Sequence, residues 1–532
     1  MSSSLSAPPR WARSLAFSLL HPQETNSSKQ NDMPSNKPQQ FILLPPRGLS
    51  SGEVLPSTPF VHSFLMSLEH VRAAVPQARK ALSAGIKTKL KVLDSIHENG
   101  AKLVEMSPEA VSSLQVEQPG LRIVPVAYYY PARAPRPMPA AAPKAAAADL
   151  KIALTIVSKG DGKPVAGAKV VAFTDFANRL GASATSNSKG IAALSLGGAT
   201  KKVERLYVYC ESGFWNALQR NVMLKTGGTI ELLPIDLGFT DCLRHFYGAS
   251  PLNAGQGITV GVVDTGIGPH GDLNVSGGEN TVVGENGSDF ADNGEGHGTH
   301  VAGIIAAHGT SPSGVRGLAP GVVLRSYRVF GKGTGGASNF SIAKAIDHAV
   351  VDGCDLINMS LGGGDKDEAI HSAIAGARAK GTLVIVASGN DSRQPVSFPA
   401  SDSLALAVSA LGRKGTFPAG VTEFGDVASP FGKDKANFIA EFSNVGPETS
   451  VTGPGVGIIS TFPGGKYAVM DGISMACPAV TGAAAKLLAA QPAVLATARD
   501  QTRSDRMAHE VLKAAMSLGF APTFEGQGLI KV

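Results

Sequence analysis

The 532-residue sequence lacks the features that mark several specialised classes of protein. Its four cysteines share no metal-ligand spacing with a histidine pair and do not predict a disulfide framework, so they leave the redox compartment open. The net charge is only +6, and no long Lys/Arg block or basic-aromatic stripe indicates a nucleic-acid partner. No apolar run approaches the roughly 20 residues that cross a bilayer, so we expect no membrane span.

Aromatic residues make up only 6% of the chain, whereas glycine occurs 62 times. Abundant glycine permits tight turns and close backbone contacts, which suits an α/β enzyme. A hydrophobic content of 43% beside 17% charged residues is typical of a globular protein. A chain of this length exceeds one ordinary core, so two to four domains are expected.

The N-terminal part of the chain divides into two segments. Residues 1–40 are rich in Ser, Pro, Asn and Gln and are predicted to be disordered or a targeting segment. Their short apolar stretch after Arg13 lacks a small-residue cleavage site and makes a poor signal peptide. Residues 41–130 predict a small α+β unit, in which Ser107 and Pro108 begin a helix as N-cap and first residue. The strands of this unit are predicted at 41–44, 102–105 and 121–130, and helical spacing runs over 60–82.

Three further segments complete the chain. Residues 131–148 contain almost only Pro, Ala, Arg and Lys and predict a stiff exposed linker. Residues 149–236 alternate β-rich runs with Gly, Asn and Asp turns, a pattern typical of a small β-sandwich. Residues 237–532 alternate strands with helices, as a parallel α/β domain does.

Three motifs in the last domain carry residues of complementary chemistry. Asp264 follows an apolar strand in VVDTGI, His297 enters a helix between glycines in GHGTHVAG, and Ser474 begins an Ala-rich helix in GISMACP. A serine hydroxyl becomes a good nucleophile when an imidazole removes its proton, and a carboxylate orients that imidazole. A strand-end Asp, a His before Gly or a Gly-x-Ser each has an ordinary structural explanation when it occurs alone. Their combination predicts a catalytic triad.

The order Asp, His, Ser and the flanking residues resemble the subtilisin-like serine proteases, or subtilases, over about residues 240–532. The resemblance implies an α/β catalytic domain with a parallel sheet and an endopeptidase that works through an acyl-enzyme. It also assigns the oxyanion-hole amide to Asn390, in the segment ASGN. The substrate-binding residues that it implies are Gly333, Thr334, Gly335, Ser360, Leu361, Gly362, Ala387, Ser388 and Gly389.

Two positions depart from the family pattern. Ile473 replaces the usual Thr beside the nucleophile, and Ala479 replaces the usual His after Pro478. Loss of the hydroxyl at position 473 weakens the expected stabilisation of the transition state, whereas position 479 concerns packing. A catalytically weak or silent, peptide-binding relative is therefore one alternative. A second alternative is a nucleotide-binding α/β enzyme, because residues 331–336 match a dinucleotide-binding glycine pattern.

Residues 41–130 resemble, more loosely, the propeptides of subtilases, which act as folding chaperones and inhibitors of the cleft. This likeness implies a zymogen that is cut near or within residues 130–148, and a propeptide that is a partner of its own enzyme. No cofactor and no metal are required by the motifs. Asp272 resembles a family calcium ligand, but residues 308–314 lack the usual Asn and Asp oxygens, so calcium is possible without clear ligands. The resemblance favours a secreted or cell-envelope location over a cytoplasmic one.

Overall fold

The computed structural model describes residues 37–50, 59–83, 87–141, 151–196 and 201–532. Most of the predicted disordered or targeting segment, including the signal-like stretch after Arg13, lies outside the described residues, and so do residues 142–148 of the predicted linker. No helix in the described ranges is long and apolar enough to cross a membrane.

The N-terminal unit is a four-stranded antiparallel sheet in the order β2-β3-β1-β4 with helices on one face. Alternate residues of its central strand face opposite sides, so Leu43 packs with Val61 and Leu65 inside the unit. Ile42 and Leu44 instead join a core that also contains helices of the C-terminal domain. The elements are β1 Gln39–Leu44, α1 Pro59–Ala73, α2 Pro76–Ser83, β2 Leu90–Ser95, β3 Lys102–Met106, α3 Pro108–Glu117 and β4 Arg122–Pro125.

The predicted helix start in this unit is present, since Ser107 caps α3 by accepting from the Ala110 N–H. The single strand predicted over residues 121–130 is wrong, because the chain forms β4 and then a separate strand, β5 Tyr128–Pro131. The break has a topological reason: β4 pairs within the N-terminal sheet, whereas β5 pairs with the C-terminal domain. Alternation along one strand does not reveal that its two halves have different partners.

The middle unit consists of a four-stranded sheet, β11-β10-β7-β8, and a three-stranded sheet, β12-β6-β9. Both sheets contribute inward-facing side chains, among them Ile156, Val170 and Val208, to one shared core. We call this unit the accessory domain. Its strands are β6 Lys151–Ser158, β7 Lys169–Asp175, β8 Leu180–Thr185, β9 Ile191–Ser195, β10 Lys202–Tyr209, β11 Ala217–Met223 and β12 Gly228–Leu232.

The C-terminal domain contains a ten-stranded mixed sheet, the largest in the described part of the chain. Its order is β14-β15-β13-β17-β19-β20-β22-β26-β25, and β21 pairs with β20. The central strands are parallel and buried on both faces, whereas β21 and β25 run antiparallel to their neighbours. Four further strands of the domain, β16, β18, β23 and β24, lie outside this sheet. The strands of the whole domain are β13 Thr259–Asp264, β14 Val275–Asn280, β15 Val323–Arg328, β16 Ala337–Ser338, β17 Leu356–Met359, β18 Leu361–Gly362, β19 Leu383–Ala387, β20 Leu406–Arg413, β21 Asn437–Ile439, β22 Thr449–Pro454, β23 Ile458–Phe462, β24 Lys466–Met470, β25 Ala515–Met516 and β26 Leu529–Ile530.

Helices cover this sheet, and the parallel strands end at one edge of it, as in other α/β folds. The helices α5 and α8 pack against each other, and α6 and α7 form a second pair. The helices are α4 Cys242–Tyr247, α5 His297–Ala306, α6 Asn339–Val351, α7 Glu368–Ala379, α8 Ile473–Ala489, α9 Pro492–Leu495, α10 Gln501–Lys513 and α11 Pro522–Glu525.

Trp215 joins the accessory domain to the C-terminal domain. It is 1% exposed, belongs to the core of the C-terminal domain, and meets the ring of Phe239 edge-on at 5.4 Å between centroids. Backbone hydrogen bonds flank it, from Leu218 N to Gly420 O at 2.8 Å and from Thr422 N to Asn216 O at 3.0 Å. The accessory domain is therefore held in place by an inserted aromatic side chain and by shared backbone pairing.

The substitution Trp215→Ala should destabilise the protein by about 3–5 kcal/mol, because it removes a large buried side chain and leaves a cavity. Thermal unfolding followed by calorimetry measures the change. Met223→Ala, at a position 63% exposed on the same domain, serves as the control and should change stability by less than about 0.5 kcal/mol. Equal effects of the two substitutions would contradict the anchoring role of Trp215.

Candidate active site

Asp264 and His297 form a buried hydrogen-bonded pair. Asp264 is the last residue of β13, His297 is the first residue of α5, and both are fully buried. The His297 Nδ1 atom lies 2.7 Å from Asp264 Oδ1. His297 Nε2 is buried and has no hydrogen-bond partner among the described residues. An imidazole held by a carboxylate at one nitrogen and unpaired at the other is arranged to accept a proton.

The glycines on either side of His297 make this approach possible. A Cβ atom at Gly298 would lie 2.3 Å from Gly266 O and 3.2 Å from Asp264 Oδ1. Gly296 has φ +74°, and a Cβ there would overlap the ring of Phe462. The sequence pattern Gly-His-Gly thus has a steric cause.

Ser474 lies in the first turn of α8, after Gly472 as N-cap. Its hydroxyl donates to Ser360 O at 3.1 Å, and the Ser360 hydroxyl donates to Ser474 O, also at 3.1 Å. The second bond compensates for Pro478, which has no N–H to give to the Ser474 carbonyl one helical turn earlier. Ser474 is therefore connected directly to a residue that the sequence predicts to bind substrate.

Asn390 lies beside the start of the same helix. Its Oδ1 accepts from the Ile473 N–H at 3.0 Å, while its Nδ2 is buried without a hydrogen-bond partner in the described part of the chain. The backbone N–H of Ser474 donates to Ala132 O at 3.1 Å. The amide of Asn390 is thus oriented by one hydrogen bond and leaves a donor available for an oxyanion next to Ser474.

The segment after the N-terminal unit occupies the cleft as an extended chain. Strand β5 lies between β16 and β18, with Tyr129 paired to Ala337 and Tyr130 paired to Gly362. Ala132 N donates to Ser360 O at 3.0 Å. Residues 131–134, predicted as the beginning of an exposed linker, lie in the cleft because backbone pairing continues through them.

Glycines again provide the room for this chain. A Cβ at Gly472 would lie 2.9 Å from both Ala132 O and Ala134 N, and one at Gly364 would overlap the ring of Tyr129. Tyr129 is fully buried, and its hydroxyl donates to Asp365 O at 2.9 Å. The sequence did not identify Gly364 or Gly472 as contacts of this chain. The only sign of them in the sequence is the glycine itself, a residue that permits close approach of another chain.

Most of the predicted substrate-binding residues lie around this chain. Ser360, Leu361 and Gly362 contact it through hydrogen bonds, and residues 387–389 are buried behind them. Ser397, which the sequence analysis missed, stands between the two groups: its hydroxyl would lie 3.1 Å from a Cβ at Gly362 and 2.7 Å from one at Gly389.

The third predicted group lies next to the observed pairing. Gly333, Thr334 and Gly335 are exposed, whereas the pairs with the extended chain are made by Ala337 and Ser338. Binding of substrate by residues 333–335 therefore stays a prediction.

Two neighbouring groups fill structural roles. Burial lowers the pKa of His300 to about 3, and the neutral ring bonds through Nε2 to Ile458 O at 3.1 Å. Burial raises the pKa of the Cys477 thiol, which donates to Ile385 O at 3.4 Å. Among the described residues no cluster of three or more His, Cys, Asp or Glu side chains is arranged to hold a metal.

The carboxylate of Asp272, the candidate calcium ligand, is bonded to protein groups. Its Oδ2 accepts from the Val315 N–H and from the Tyr467 hydroxyl, each at 2.9 Å. The loop that follows α5 packs closely on it, since a Cβ at Gly309 would lie 2.4 Å from the carboxylate. These donors satisfy an oxygen that a calcium ion would otherwise use.

Comparison with known proteins agrees with this geometry. The model of the subtilase family matches residues 255–527. The chain belongs to the subtilase family. It is 39% identical over 231 residues to Subtilisin Savinase from Lederbergia lenta, which covers 43% of this chain and 76% of that protein. It is 35% identical over 283 residues to Subtilisin DY from Bacillus licheniformis, which covers 52% and 90%. Alkaline elastase YaB from a Bacillus species is 40% identical over 231 residues, 43% of this chain and 54% of that protein.

Family membership makes this subtilase a serine-type endopeptidase with an α/β catalytic domain. The predicted parallel sheet is confirmed in its centre, with the antiparallel β21 and β25 as additions. The match covers the C-terminal domain alone, so the N-terminal unit and the accessory domain lie outside it.

The substitution Asn390→Leu should lower kcat about 10²- to 10³-fold with a much smaller change in KM, because the lost donor acts on the transition state. Steady-state hydrolysis of a chromogenic peptide measures both constants. An unchanged melting temperature shows that the variant is folded. A fall in kcat of less than tenfold would contradict the assignment of Asn390.

The substitution Ile473→Thr should raise kcat by roughly twofold to tenfold, the value of one added hydrogen bond to the developing oxyanion. The same peptide assay measures the change. Ile473→Val, which shortens the side chain without adding a hydroxyl, is the matched control and should not raise kcat. A gain in both variants would mean that side-chain volume at position 473, and not the hydroxyl, controls turnover.

Proposed function

We propose that the protein is a zymogen that cleaves its own chain between Ala132 and Arg133 and then hydrolyses other polypeptides. The observation that carries this proposal is the position of the Ala132 carbonyl, whose oxygen accepts from the Ser474 N–H at 3.1 Å beside the unpaired amide of Asn390. A peptide bond in that position has its carbonyl oxygen where a substrate oxyanion develops.

The groups divide the chemistry as in other serine proteases. Ser474 Oγ attacks the carbonyl carbon of Ala132 while His297 Nε2 accepts its proton, and Asp264 orients His297 and stabilises the imidazolium. Asn390 and the Ser474 N–H hold the oxyanion. The bond to Arg133 then breaks, the leaving amine takes the proton from His297, and water hydrolyses the resulting ester. Before attack, the Ser474 hydroxyl must rotate from Ser360 O toward His297.

The contacts of the N-terminal unit support the same proposal, in which this unit inhibits the cleft of the catalytic domain. We call residues 37–132 the prodomain. Beyond the β5 strand, Lys344 of α6 pairs with Asp94 at 2.9 Å, and Arg122 donates to Ser372 of α7 at 3.0 Å. The apolar face of β1 lies against the same two helices. An extended strand in the cleft and a second contact on the helices give a bound inhibitor that survives cleavage of one bond.

Two alternatives remain testable. A catalytically silent, peptide-binding subtilase would keep this cleft but fail to react with a serine-directed fluorophosphonate. A nucleotide-binding role for residues 331–336 would require micromolar affinity for a fluorescent nucleotide. We also propose that the protein is secreted, because the proposed processing scheme resembles that of other subtilases. Determination of the native N-terminus by mass spectrometry tests this location.

The native chain should yield a fragment that begins at Arg133, as measured by intact-mass and N-terminal analysis after expression. Ser474→Ala should remain a single uncut chain, because the nucleophile is missing. Ala132→Asp is the matched site variant and should slow the cut strongly, since a charge would enter a buried position that is 8% exposed in the native chain. A Ser474→Ala protein that is cut at Arg133 when purified alone would contradict self-processing.

Release of the cleaved prodomain should become faster as pH rises. The hydrogen bond to Asp347, at 3.0 Å, raises the pKa of His97 above its ordinary value of 6.5. Protonated His97 therefore strengthens the contact between the prodomain and α6. This contribution is fully present below pH 6.5 and is lost as the pH rises through the raised pKa of His97. Dissociation of the processed complex can be followed by the appearance of peptidase activity between pH 5 and about 9.

The variant His97→Phe should remove this pH dependence. His70→Asn is the control, since His70 faces Glu98 within the prodomain at 3.8 Å and not the catalytic domain. A pH profile of release that is the same in His97→Phe as in the native protein would assign the effect to another group.

A further inference from the structure

We propose that the accessory domain extends the substrate cleft beyond the scissile bond and selects a basic residue at the fourth position after it. The site consists of the ring of Tyr209 of the accessory domain and the carboxylate of Asp471. This inference rests on the proposed function, because it takes Ala132–Arg133 as the bond that is cut. Its substrate class is a polypeptide that continues for several residues after that bond, with Arg or Lys at the position that Arg136 occupies here.

The chain that leaves the cleft follows a defined path over the protein. Ala134 N donates to Asp471 O at 3.1 Å, and Arg133 pairs with Glu295 at 3.1 Å between side chains that are both more than one-third exposed. Gly472 lies under this stretch, where a Cβ atom would press on Ala132, Arg133 and Ala134. The hydrogen bond to Ala134 uses only its backbone, so another extended polypeptide with a small residue at this position can make it equally well.

Arg136 marks the next contact. Its guanidinium carbon lies 5.0 Å from the ring centroid of Tyr209, within the distance of a cation–π interaction. Tyr209 is 6% exposed and stacks on Tyr207 with 5.7 Å between ring centroids and 9° between planes. The aromatic face is therefore held rigidly by its own domain before any cation arrives.

Asp471 lies beside this contact. Its backbone carbonyl accepts from Ala134 N, two residues before Arg136, and its Oδ1 accepts from the Gly457 N–H at 2.7 Å. Burial raises the pKa of Asp471 to about 6, and the charge of Arg136 opposes that shift. A nearby cation therefore stabilises the ionised carboxylate of Asp471.

The path ends on the free edge of the accessory domain. Strand β8 is the outer strand of its sheet, and two backbone hydrogen bonds, one in each direction, join its start to the leaving chain. Ala140 N donates to Arg179 O at 2.9 Å, and Gly181 N donates to Ala141 O at 3.1 Å. An exposed strand edge binds extended peptides by adding a strand, largely without regard to side chains. Affinity thus comes from β8, and selectivity comes from Tyr209 and Asp471.

The groups that bind the leaving chain remain in the enzyme after cleavage. After the cut, residues 133–141 begin at a free N-terminus and can leave, whereas Tyr209, Asp471 and β8 belong to the folded domains. The enzyme's own segment and the distal half of a substrate then compete for the same place. The accessory domain consequently acts in substrate selection and not merely as a spacer.

Binding without chemistry provides the first test. A fluorescein-labelled peptide with the sequence of residues 133–141 is added to processed Arg136→Gln protein, whose own segment competes less well, and anisotropy is measured. We expect saturable binding that weakens about threefold to tenfold when the Arg at the fourth peptide position becomes Gln, the range of a partly desolvated cation–π contact. Equal affinity of the two peptides would overturn the selectivity. This measurement does not depend on hydrolysis, so its failure is distinct from failure of the proposed function.

Cleavage provides the second test. Quenched fluorescent peptides share Tyr-Tyr-Pro-Ala before the bond and carry Arg, Gln or Glu at the fourth position after it, and a short substrate with a chromogenic amine directly after Ala lacks the distal part. We expect kcat/KM to fall in the order Arg, Gln, Glu. Tyr209→Leu should abolish the order, read as the ratio of kcat/KM for the Arg and Glu peptides, while the short substrate reports the activity of the folded variant.

Asp471→Asn, which keeps the shape of the site, should reduce the preference for Arg over Gln and guards against misfolding of the Tyr209 variant. A preference for Arg that persists in both folded variants would overturn the location of the site. Loss of activity on the short substrate in the native enzyme would instead count against the proposed function, while the anisotropy result would still decide the inference.

Discussion

The hydrogen bond from the Ser474 N–H to the carbonyl oxygen of Ala132 connects all three parts of this protein. It places one peptide bond of the chain against the nucleophile, with the prodomain on one side of that bond and the accessory domain on the other. The β5 strand and the glycines at 364 and 472 determine where the chain enters and how closely it lies.

Tight packing of backbone against backbone explains the composition of the chain. Gly298 permits the approach of α5 to Asp264, Gly472 permits the approach of the extended segment to α8, and Gly364 leaves space for Tyr129. Only glycine leaves the required space at these positions, because a Cβ would lie within 3 Å of atoms that cannot move away. The high glycine content is therefore concentrated, in part, where the chemistry needs short distances.

The three-domain arrangement fits the two proposed roles, inhibition by the prodomain and selection by the accessory domain. The prodomain contacts α6 through an ion pair and α7 through a hydrogen bond, as well as the cleft, so it is held at two places. The accessory domain is held by Trp215 in the core of the catalytic domain and cannot swing freely away from the cleft. A rigidly docked neighbour can contribute binding groups at fixed distances from the nucleophile, which a flexibly tethered domain cannot do.

Local sequence patterns were sufficient for the family and for the alternation of strands and helices over residues 237–532, and they singled out Asp264, His297, Ser474 and Asn390 as the predicted site. These features depend on short motifs and on hydrophobic periodicity, which are visible within a few residues. The sequence did not reveal the division of residues 121–130 into two strands, the pairing of Ala337 with Tyr129, or the position of Ser397. It also did not show that Ala132 faces the nucleophile or that Arg136 lies on Tyr209. These contacts join residues far apart in the chain, so only the tertiary structure, which sets their distances, decided them.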